Sequence, residues 1–283
     1  MSDLERGVAD QYSAYDVLER IKAGLAAMGE DPDRIRPDVL KAVDEFHIGG
    51  AEATAHLLDQ LDIRPGTRVL DIGSGIGGPA RLVAGRFGAR VTGVDLTPDF
   101  VETAKALTEM CGMSDQVAFK TGSATALPLD DGAFDLALML HVGMNIPDKP
   151  AIFREARRVL ADGGVFAVYD VMRVGAGDIG YPVPWADSSA ISAVAAPETY
   201  RDAAAAAGFV LSREENRRDI ALDFFTRIQA AAQKAAEQKA APPPLGLHNL
   251  MGASIGDKMK NMIGAIKAGT IAPVQMIFHA PAN

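Results

Sequence analysis

The chain has 283 residues, of which 48% are hydrophobic and 23% are charged, a composition typical of a globular protein. Its formal net charge of −9 disfavours binding to a phosphate backbone, so nucleic acid is not an expected partner. The single cysteine excludes an internal disulfide framework, and neither a secretory signal nor an apolar run of membrane-spanning length is apparent. We therefore expect a cytoplasmic protein with no membrane partner.

The first fifty residues are predicted to form a helical cap, residues 1–50. Apolar residues follow helical spacing from Leu18 to Met28, a second helix is expected from Asp38, and a third from residue 51 to residue 61. The remaining chain, residues 51–283, is expected to form the main α/β domain.

From residue 67 onward, short apolar runs alternate with helical patterns. Strands are predicted at 68–72, 90–95, 117–120, 134–140 and 165–169, and helices at 78–87, 98–110 and 150–160. This alternation predicts an α/β fold with a doubly wound, mostly parallel sheet and right-handed crossovers.

The C-terminal third departs from this regular alternation. Residues 172–197 are irregular and rich in Gly, Pro and Ser, which predicts an inserted lid. A helix and a strand are expected at 200–207 and 208–212. A C-terminal helix–strand extension, 221–283, follows, with a helix at 221–240 and a last strand at 273–278. The prediction is therefore a seven-stranded sheet.

A glycine-rich turn follows the first predicted strand, where ligands bind in open α/β sheets. Gly73, Gly75 and Gly78 also satisfy the dinucleotide-binding pattern G-x-G-x-x-G, so the glycines alone leave the cofactor open. Asp95 ends the second strand, where a carboxylate can bind ribose hydroxyls. Asp71 precedes the glycines, where it would repel a pyrophosphate but would suit a ligand that carries an ammonium and a sulfonium group.

Five motifs occur in order along the chain: VLDIGSGIG at 69–77, GVD at 93–95, AFDLA at 133–137, RVLADGG at 158–164 and AGF at 207–209. Together they resemble the successive motifs of class I S-adenosylmethionine-dependent methyltransferases. Within that superfamily, HIGGAEAT at 47–54 and GIGGPAR at 75–81 look most like the glycine/sarcosine/dimethylglycine N-methyltransferase group. The resemblance implies a Rossmann-like methyltransferase domain over residues 51–283 that uses S-adenosyl-L-methionine.

The resemblance also implies roles for cofactor-binding residues. The backbone of Gly73, Gly75 and Gly77 would line the methionine moiety, Asp95 would bind the ribose hydroxyls, and Leu96 would flank the adenine. After the third strand most relatives have Gly-Asp-Ala, whereas this chain has Ser123 and Ala124 after the glycine. A serine hydroxyl can still accept a hydrogen bond from the adenine amine.

Residues for the acceptor side come from several segments. His141 follows the fourth strand and could position or deprotonate an acceptor, which makes it the candidate catalytic residue. His47 could close over the donor carboxylate. Further candidates for contact with the acceptor are Tyr12 and Tyr15 in the cap, and Asn145, Tyr181 and Trp185 in irregular segments.

No metal-ligand spacing occurs among the five histidines and the single cysteine, so no metal is expected. We predict methyl transfer to a small soluble metabolite, nitrogen first, with sulfur, oxygen or carbon still open, by a monomer or homodimer. Two alternatives are a nicotinamide-dependent oxidoreductase, disfavoured by Asp71 and by the lack of a Tyr-x-x-x-Lys pair, and a protein that only binds the cofactor.

Overall fold

The structure is a computed structural model that describes residues 16–31, 33–45, 47–238, 243–251 and 254–282. Seven strands form one sheet in the order β3-β2-β1-β4-β5-β7-β6. Their bounds are β1 Arg68–Ile72, β2 Arg90–Asp95, β3 Val117–Thr121, β4 Phe134–Leu140, β5 Leu160–Arg173, β6 Val210–Asn216 and β7 Ile271–His279. The first five strands are parallel, and β7 pairs antiparallel with both β5 and β6. The predicted α/β class and seven-stranded sheet are confirmed.

The helices flank this sheet. They are α1 Val17–Ala27, α2 Lys41–Asp44, α3 Gly50–Leu58, α4 Gly78–Phe87, α5 Pro98–Met110, α6 Lys149–Val159, α7 Pro197–Ala206, α8 Arg218–Glu237, α9 His248–Met251 and α10 Ile255–Lys267. Short 3-10 turns lie at Pro37–Leu40, Gly143–Asn145 and Ser189–Ile191.

Alternate residues of the central strands pack into two different cores. Along β4, Leu136 and Leu138 belong to a cluster with α3, α4 and α5, whereas Ala137 and Met139 belong to a cluster with α6 and α7. This two-sided burial explains why β4 is uniformly apolar, since side chains alternate between the faces of a sheet that is covered on both.

The chain segments outside the sheet form two further clusters. Leu25 of α1 is buried with Phe100 of α5 and with Leu245 and Leu250 near the C-terminal end of the chain. The insertion between β5 and α7 is buried against α8 and α10, chiefly through Trp185. Both clusters lie over the carboxyl ends of the strands, where they enclose a cavity.

Several predicted bounds were wrong. The strand expected at 165–169 extends from Leu160 to Arg173, because β7 pairs with it as far as the Arg173–Ile271 pair. The irregular insertion therefore begins only after Arg173 and ends before Pro197, which opens α7. The second cap helix is a 3-10 turn followed by the single turn α2.

Two helices, α9 and α10, were not predicted from the sequence. Helix α10 has buried Met262, Ile263 and Ile266 on one face, and these residues pack on α8 and β7. None of the helices in the described part of the chain combines the length and apolar composition needed to span a bilayer.

A buried ion pair joins the cap segment to the sheet domain. The Arg81 guanidinium of α4 donates to Asp44 Oδ1 over 2.6 Å and to Thr108 Oγ1 over 3.1 Å. The Arg81 and Asp44 side chains are 1% and 7% exposed. Gly78 also packs directly on the cap, because a Cβ at that position would collide with the Asp44 carbonyl oxygen. Residues 44 and 45 are therefore held firmly beside the start of α4.

Candidate active site

A cavity of about 520 Å³ lies at the carboxyl ends of β1, β2 and β4. Its size is within the range of small-molecule binding sites. One end, called here the donor end, is lined by Asp71, Gly73, Ser74, Gly75, Asp95, Leu96, Thr97, Phe100, Gly122, Ser123 and Ala124. The other end, called the acceptor end, is lined by Ile48, Met144, Asn145, Pro184, Trp185, Phe224, Phe225, Ile228, Met259 and Met262. Leu247 and Leu250 also line the cavity and pack in the cluster that contains Phe100. His47 and His141 also line the cavity.

The glycine turn forms the floor of the donor end. Gly73 and Gly75 have φ values of 73° and 52°, which favour glycine. A Cβ on Gly75 would meet no protein atom within 4 Å, so this residue faces open space. Gly73 packs against Val142, which leaves room for no side chain there. Gly77 does not line the cavity and instead packs against Phe119, so its predicted contact with the methionine moiety has no support in the geometry.

Asp95 organises the glycine turn from the end of β2. Its Oδ2 accepts a hydrogen bond from the Gly75 backbone N–H over 2.8 Å, and its Oδ1 accepts one from the Thr97 N–H over 2.9 Å. The Leu96 backbone and the Thr97 side chain also donate to this carboxylate. Asp95 therefore holds the turn in place and lines the donor end, where the resemblance expects the ribose.

Asp71 is buried at the end of β1, and its Oδ2 has no hydrogen-bond partner within the described residues. Burial, reinforced by the nearby carboxylates of Asp95 and Glu45, raises the pKa of Asp71 to about 7. A buried carboxylate without a partner is costly, and a cation beside it would relieve that cost. The chemistry of this residue fits the ammonium group of S-adenosylmethionine.

The predicted adenine-side residues meet at the same end. Leu96, Ser123 and Ala124 all line the cavity. The Ser123 hydroxyl lies 2.8 Å from the Thr125 hydroxyl and accepts a hydrogen bond from the Thr125 N–H over 3.2 Å. Ser123 is therefore fixed in orientation at the edge of the donor end.

His141 and His47 lie between the two ends, with ring centroids 5.6 Å apart. His141 has a φ of 55°, and neither of its buried ring nitrogens has a hydrogen-bond partner within the described residues. Burial, with a smaller contribution from His47, holds the pKa of His141 well below its usual value. Positive φ in a non-glycine residue is uncommon and clusters at functional sites. His141 is thus a neutral imidazole in the wall of the cavity.

The other predicted acceptor residues are only partly brought together. Asn145 lines the cavity and donates through Nδ2 to the Trp185 carbonyl over 2.7 Å, while Trp185 Nε1 donates to Ser192 Oγ over 3.1 Å. Tyr181 does not line the cavity and packs instead in the cluster of the insertion, α8 and α10. Tyr12 and Tyr15 lie outside the described residues.

Most of the acceptor end was missed from the sequence. Phe224, Phe225 and Ile228 of α8 share one helix face, and Met259 and Met262 of α10 share another. The signal was available in α10, where apolar residues recur at 255, 259, 262, 263 and 266, which is helical spacing. Among the residues that the structure describes, no group of three or more His, Cys, Asp or Glu side chains is placed to hold a metal ion.

The sheet order, the glycine turn and the carboxylates at the ends of β1 and β2 together define a class I S-adenosylmethionine-dependent methyltransferase domain. Residues 70–168 match the family described as "Methyltransferase domain", and S-adenosylmethionine is the methyl donor of this class. The recognition made from the sequence motifs is confirmed at this level. The match leaves no support for the nicotinamide-dependent alternative.

The matches to curated relatives cover only part of each relative's length. Sterol 24-C-methyltransferase ERG6B of Gibberella zeae is 36% identical over 115 residues, 41% of this chain and 30% of that protein. The 2-methyl-6-phytyl-1,4-hydroquinone methyltransferase of Synechocystis is 33% identical over 171 residues, 60% of this chain and 51% of that protein. The chain thus spans about a third to a half of the length of these relatives.

A solved structure shares the fold over nearly the whole chain. Geranyl diphosphate C-methyltransferase from Streptomyces coelicolor, solved with S-adenosyl-L-homocysteine, superposes with a TM-score of 0.68 at 19% identity, covering 99% of this chain and 98% of that one. Sarcosine dimethylglycine and phosphoethanolamine methyltransferases also share this fold. At such identities the likeness concerns the fold alone.

Proposed function

We propose that this protein transfers a methyl group from S-adenosylmethionine to a small, largely apolar molecule. The observation that carries the proposal is the division of one cavity into a polar donor end and an apolar acceptor end. A ligand that leaves water for the acceptor end gains free energy in proportion to its apolar area, about 25 cal/mol per Å². Apolar acceptors therefore gain the most binding free energy from this lining.

The charged lining also restricts the acceptor. Lys41 is the one Lys or Arg among the described lining residues. Of the acidic lining residues, Asp44 pairs with Arg81 and Glu52 with Arg227, which leaves the carboxylates of Glu45, Asp71 and Asp95. A carboxylate or phosphate on the acceptor would therefore meet repulsion with little compensation. This lining supports a neutral acceptor over an amino acid such as sarcosine. Methylation at nitrogen, expected from the sequence, stays a prediction, since a neutral or cationic amine is not repelled.

The names of the relatives support the same class of acceptor. A sterol and a phytyl hydroquinone appear in the names of two curated relatives. Both names denote largely apolar molecules, which suits the Phe and Met side chains of α8 and α10 in this chain. Met side chains adapt to ligands of irregular shape.

The residues of this chain would divide the work of the reaction. S-adenosylmethionine supplies an activated methyl group for in-line displacement. Asp71 and Asp95 would hold its cationic and ribose groups. His141, next to Val142 and therefore close to Gly73, would position the acceptor atom through a neutral imidazole. Trp185 and Phe225 are buried in the wall of the acceptor end and would keep water out.

The first test concerns the donor. S-adenosylhomocysteine should raise the melting temperature of the protein, because a ligand that binds only the native state stabilises it by mass action, whereas NAD should not. The reverse pattern would contradict the proposal.

The second test is a methyl-transfer screen with labelled donor. Its acceptors are small phenols, a prenylated hydroquinone, a sterol, thiols, glycine, sarcosine, dimethylglycine and phosphoethanolamine. Transfer to the apolar compounds ahead of the amino acids supports the proposal. Transfer to sarcosine or phosphoethanolamine alone contradicts it, and donor binding without transfer to any compound would indicate a protein that only binds the cofactor.

A further inference from the structure

Three buried side chains form a hydrogen-bonded chain in the wall of the cavity. Thr54 Oγ1 donates to Glu45 Oε2 over 2.8 Å, and the same hydroxyl oxygen lies 2.9 Å from His47 Nε2. The side chains of Glu45 and His47 are 5% and 4% exposed, and Thr54 is 1% exposed. Glu45 and His47 both line the cavity, so the chain has two members within reach of a bound molecule.

The hydrogens of this chain follow from counting donors. A threonine hydroxyl has one proton, and with Glu45 ionised that proton points to Glu45. His47 Nε2 must then carry a proton and donate it to Thr54 Oγ1. The neutral imidazole consequently has a bare lone pair on Nδ1, which lies 3.6 Å from Glu45 Oε2. A proton that arrives on Nδ1 would form an ion pair with a carboxylate already in place.

The groups that face His47 leave it neutral until such a proton arrives. Burial lowers the pKa of His47 to about 4. The ring of Tyr169 packs edge-on to it with a centroid distance of 6.0 Å, and the Tyr169 hydroxyl donates to the Ile48 carbonyl, so it contributes no charge. His141 faces it as a second neutral ring. Burial raises the pKa of Glu45, while the Thr54 hydroxyl and the Arg81 guanidinium lower it.

His47 is better placed than His141 to take up a proton. A proton on His141 would create a buried charge without a hydrogen-bond partner or a carboxylate among the described residues that contact it. A proton on His47 would be shared with Glu45 and relayed through Thr54. The two rings, with centroids 5.6 Å apart, are too close for both to be charged.

We propose that His47, supported by Glu45 and Thr54, accepts the proton of a hydroxyl group on the acceptor during methyl transfer. This inference rests on the proposed function and narrows its acceptors to molecules that are apolar and carry a hydroxyl group.

In the proposed step, the hydroxyl oxygen forms a bond to the methyl carbon, the bond from that carbon to sulfur breaks, and its electron pair stays on sulfur. The O–H bond breaks, its electron pair stays on the oxygen, and the proton moves to His47 Nδ1. The products are a methyl ether, a neutral thioether and an imidazolium, which releases its proton to water after the products leave.

A weakly basic imidazole is sufficient for this step. The positive charge of the sulfonium moves toward the oxygen with the methyl group, so the hydroxyl proton becomes strongly acidic as the bond forms. An amine acceptor can lose its proton to water beforehand and has no need of the relay. The relay is thus specifically suited to a hydroxyl acceptor.

The test compares two phenols at about pH 8 in the full-length protein. 4-Nitrophenol is largely ionised there, so the acidic lining should raise its KM and only its kcat is compared, whereas 4-methoxyphenol keeps its proton, as an ordinary phenol does. Thr54→Val and Glu45→Gln should lower kcat for 4-methoxyphenol by about 10²-fold, the usual contribution of a general base. Both should leave kcat for 4-nitrophenol within about threefold of the original protein, and Thr54→Val should also leave S-adenosylhomocysteine affinity unchanged.

The controls separate a proton-transfer role from a structural one. Thr54→Ser keeps the hydroxyl and should restore kcat for 4-methoxyphenol. Thr103→Val makes the same chemical change at a buried threonine of α5 outside the cavity and should affect neither phenol. Equal losses on both phenols would overturn the inference, as would a protein that methylates amines or thiols but neither phenol. Failure to methylate any compound would instead refute the proposed function.

A second readout needs no turnover. In protein labelled with ¹⁵N-histidine and free of donor, His47 should be a neutral ring with its proton on Nε2 at about pH 7, and Thr54→Val should change its ¹⁵N shifts. A proton on Nδ1, or a charged ring, would overturn the inference.

Discussion

The donor end and the acceptor end of the cavity are built in different ways. The donor end uses residues close to short motifs at the ends of three adjacent strands, with Asp71, Gly75 and Asp95 at its centre. The acceptor end is assembled from separate segments: residue 48, the turn after β4, the insertion, α8 and α10. One end is therefore built from a compact local structure, and the other from the packing of distant helices.

The comparison predicts the largest effect for Gly75→Val. Gly75 has a φ of 52° and faces open space, so a valine would both strain the turn and occupy the donor end. S-adenosylhomocysteine affinity measured by calorimetry should fall by at least about 10³-fold with a nearly native far-UV spectrum, since the side chain would overlap the ligand. Gly132→Val is the matched control, because Gly132 has a φ of 63°, also faces open space and lies outside the cavity. Normal binding by Gly75→Val would remove this turn from the donor site.

Asp95→Ala should cause the next largest loss, again of donor affinity. Loss of two charge-assisted hydrogen bonds to the ribose should cost about 2–4 kcal/mol of donor affinity. Calorimetry of Asp95→Ala checks this, with Asp135→Ala as a control because Asp135 pairs with Arg68 and does not line the cavity. An unchanged dissociation constant for Asp95→Ala would show that the ribose lies elsewhere.

His141 lies between the two ends of the cavity, and its substitution by alanine should lower turnover without lowering donor affinity. We expect kcat to fall by about 10²-fold, because the imidazole positions the acceptor, while donor affinity barely changes. Cofactor affinity, melting temperature and turnover should be measured on one preparation. A lower melting temperature with unchanged turnover per folded molecule would make His141 a packing residue.

The pH dependence of donor binding should be about tenfold and should come from Asp71. Because burial raises the pKa of Asp71 to about 7, this carboxyl is protonated below that pH, and binding a cation must first expel the proton. S-adenosylhomocysteine affinity should therefore rise about tenfold from pH 6 to pH 8 and then level off. Asp71→Asn should bind more weakly and lose most of this dependence. An affinity that falls over the same range would contradict this assignment.

The smallest effect is expected at the acceptor end. Phe224→Ala removes part of an apolar wall, which should cost about 1 kcal/mol, or about a fivefold rise in the KM for an apolar acceptor. Donor affinity should stay unchanged, because Phe224 lies on α8, away from the glycine turn. An equal loss of donor affinity would show that the two ends are not separate.

The same contrast explains what the sequence could predict. The positions of the glycine turn, Asp71 and Asp95 at the cavity were predictable because they depend on strand ends and positive φ, which are encoded within a few residues. The contributions of Phe224 and Met259 were not, because they depend on how α8 and α10 pack over the sheet. Tyr181 was assigned to the site from its place in an irregular segment, yet such a segment can turn its side chains into a core of its own, as this one does.

The Glu45–Thr54–His47 relay was missed for a different reason. The motif at 47–54 was recognised, but a spacing of seven residues does not reveal that α3 turns Thr54 back onto His47. His47 was therefore predicted to contact the donor carboxylate, a role that the structure leaves untested.

The Arg81–Asp44 pair limits which parts of this sequence can change without moving the donor end. Asp44 precedes Glu45 of the relay, and Arg81 lies in the first turn of α4, directly after the glycine turn. The buried Arg81–Asp44 contact therefore fixes the distance between the relay and the floor of the donor end. Removing either partner would leave an uncompensated charge in the interior. Among the described residues, α8 is tied through Arg227 to Glu52 and α10 through Lys258 to Asp187, and neither ion pair involves the glycine turn. The molecule thus has a fixed reference point around which acceptor walls of different shape can be fitted.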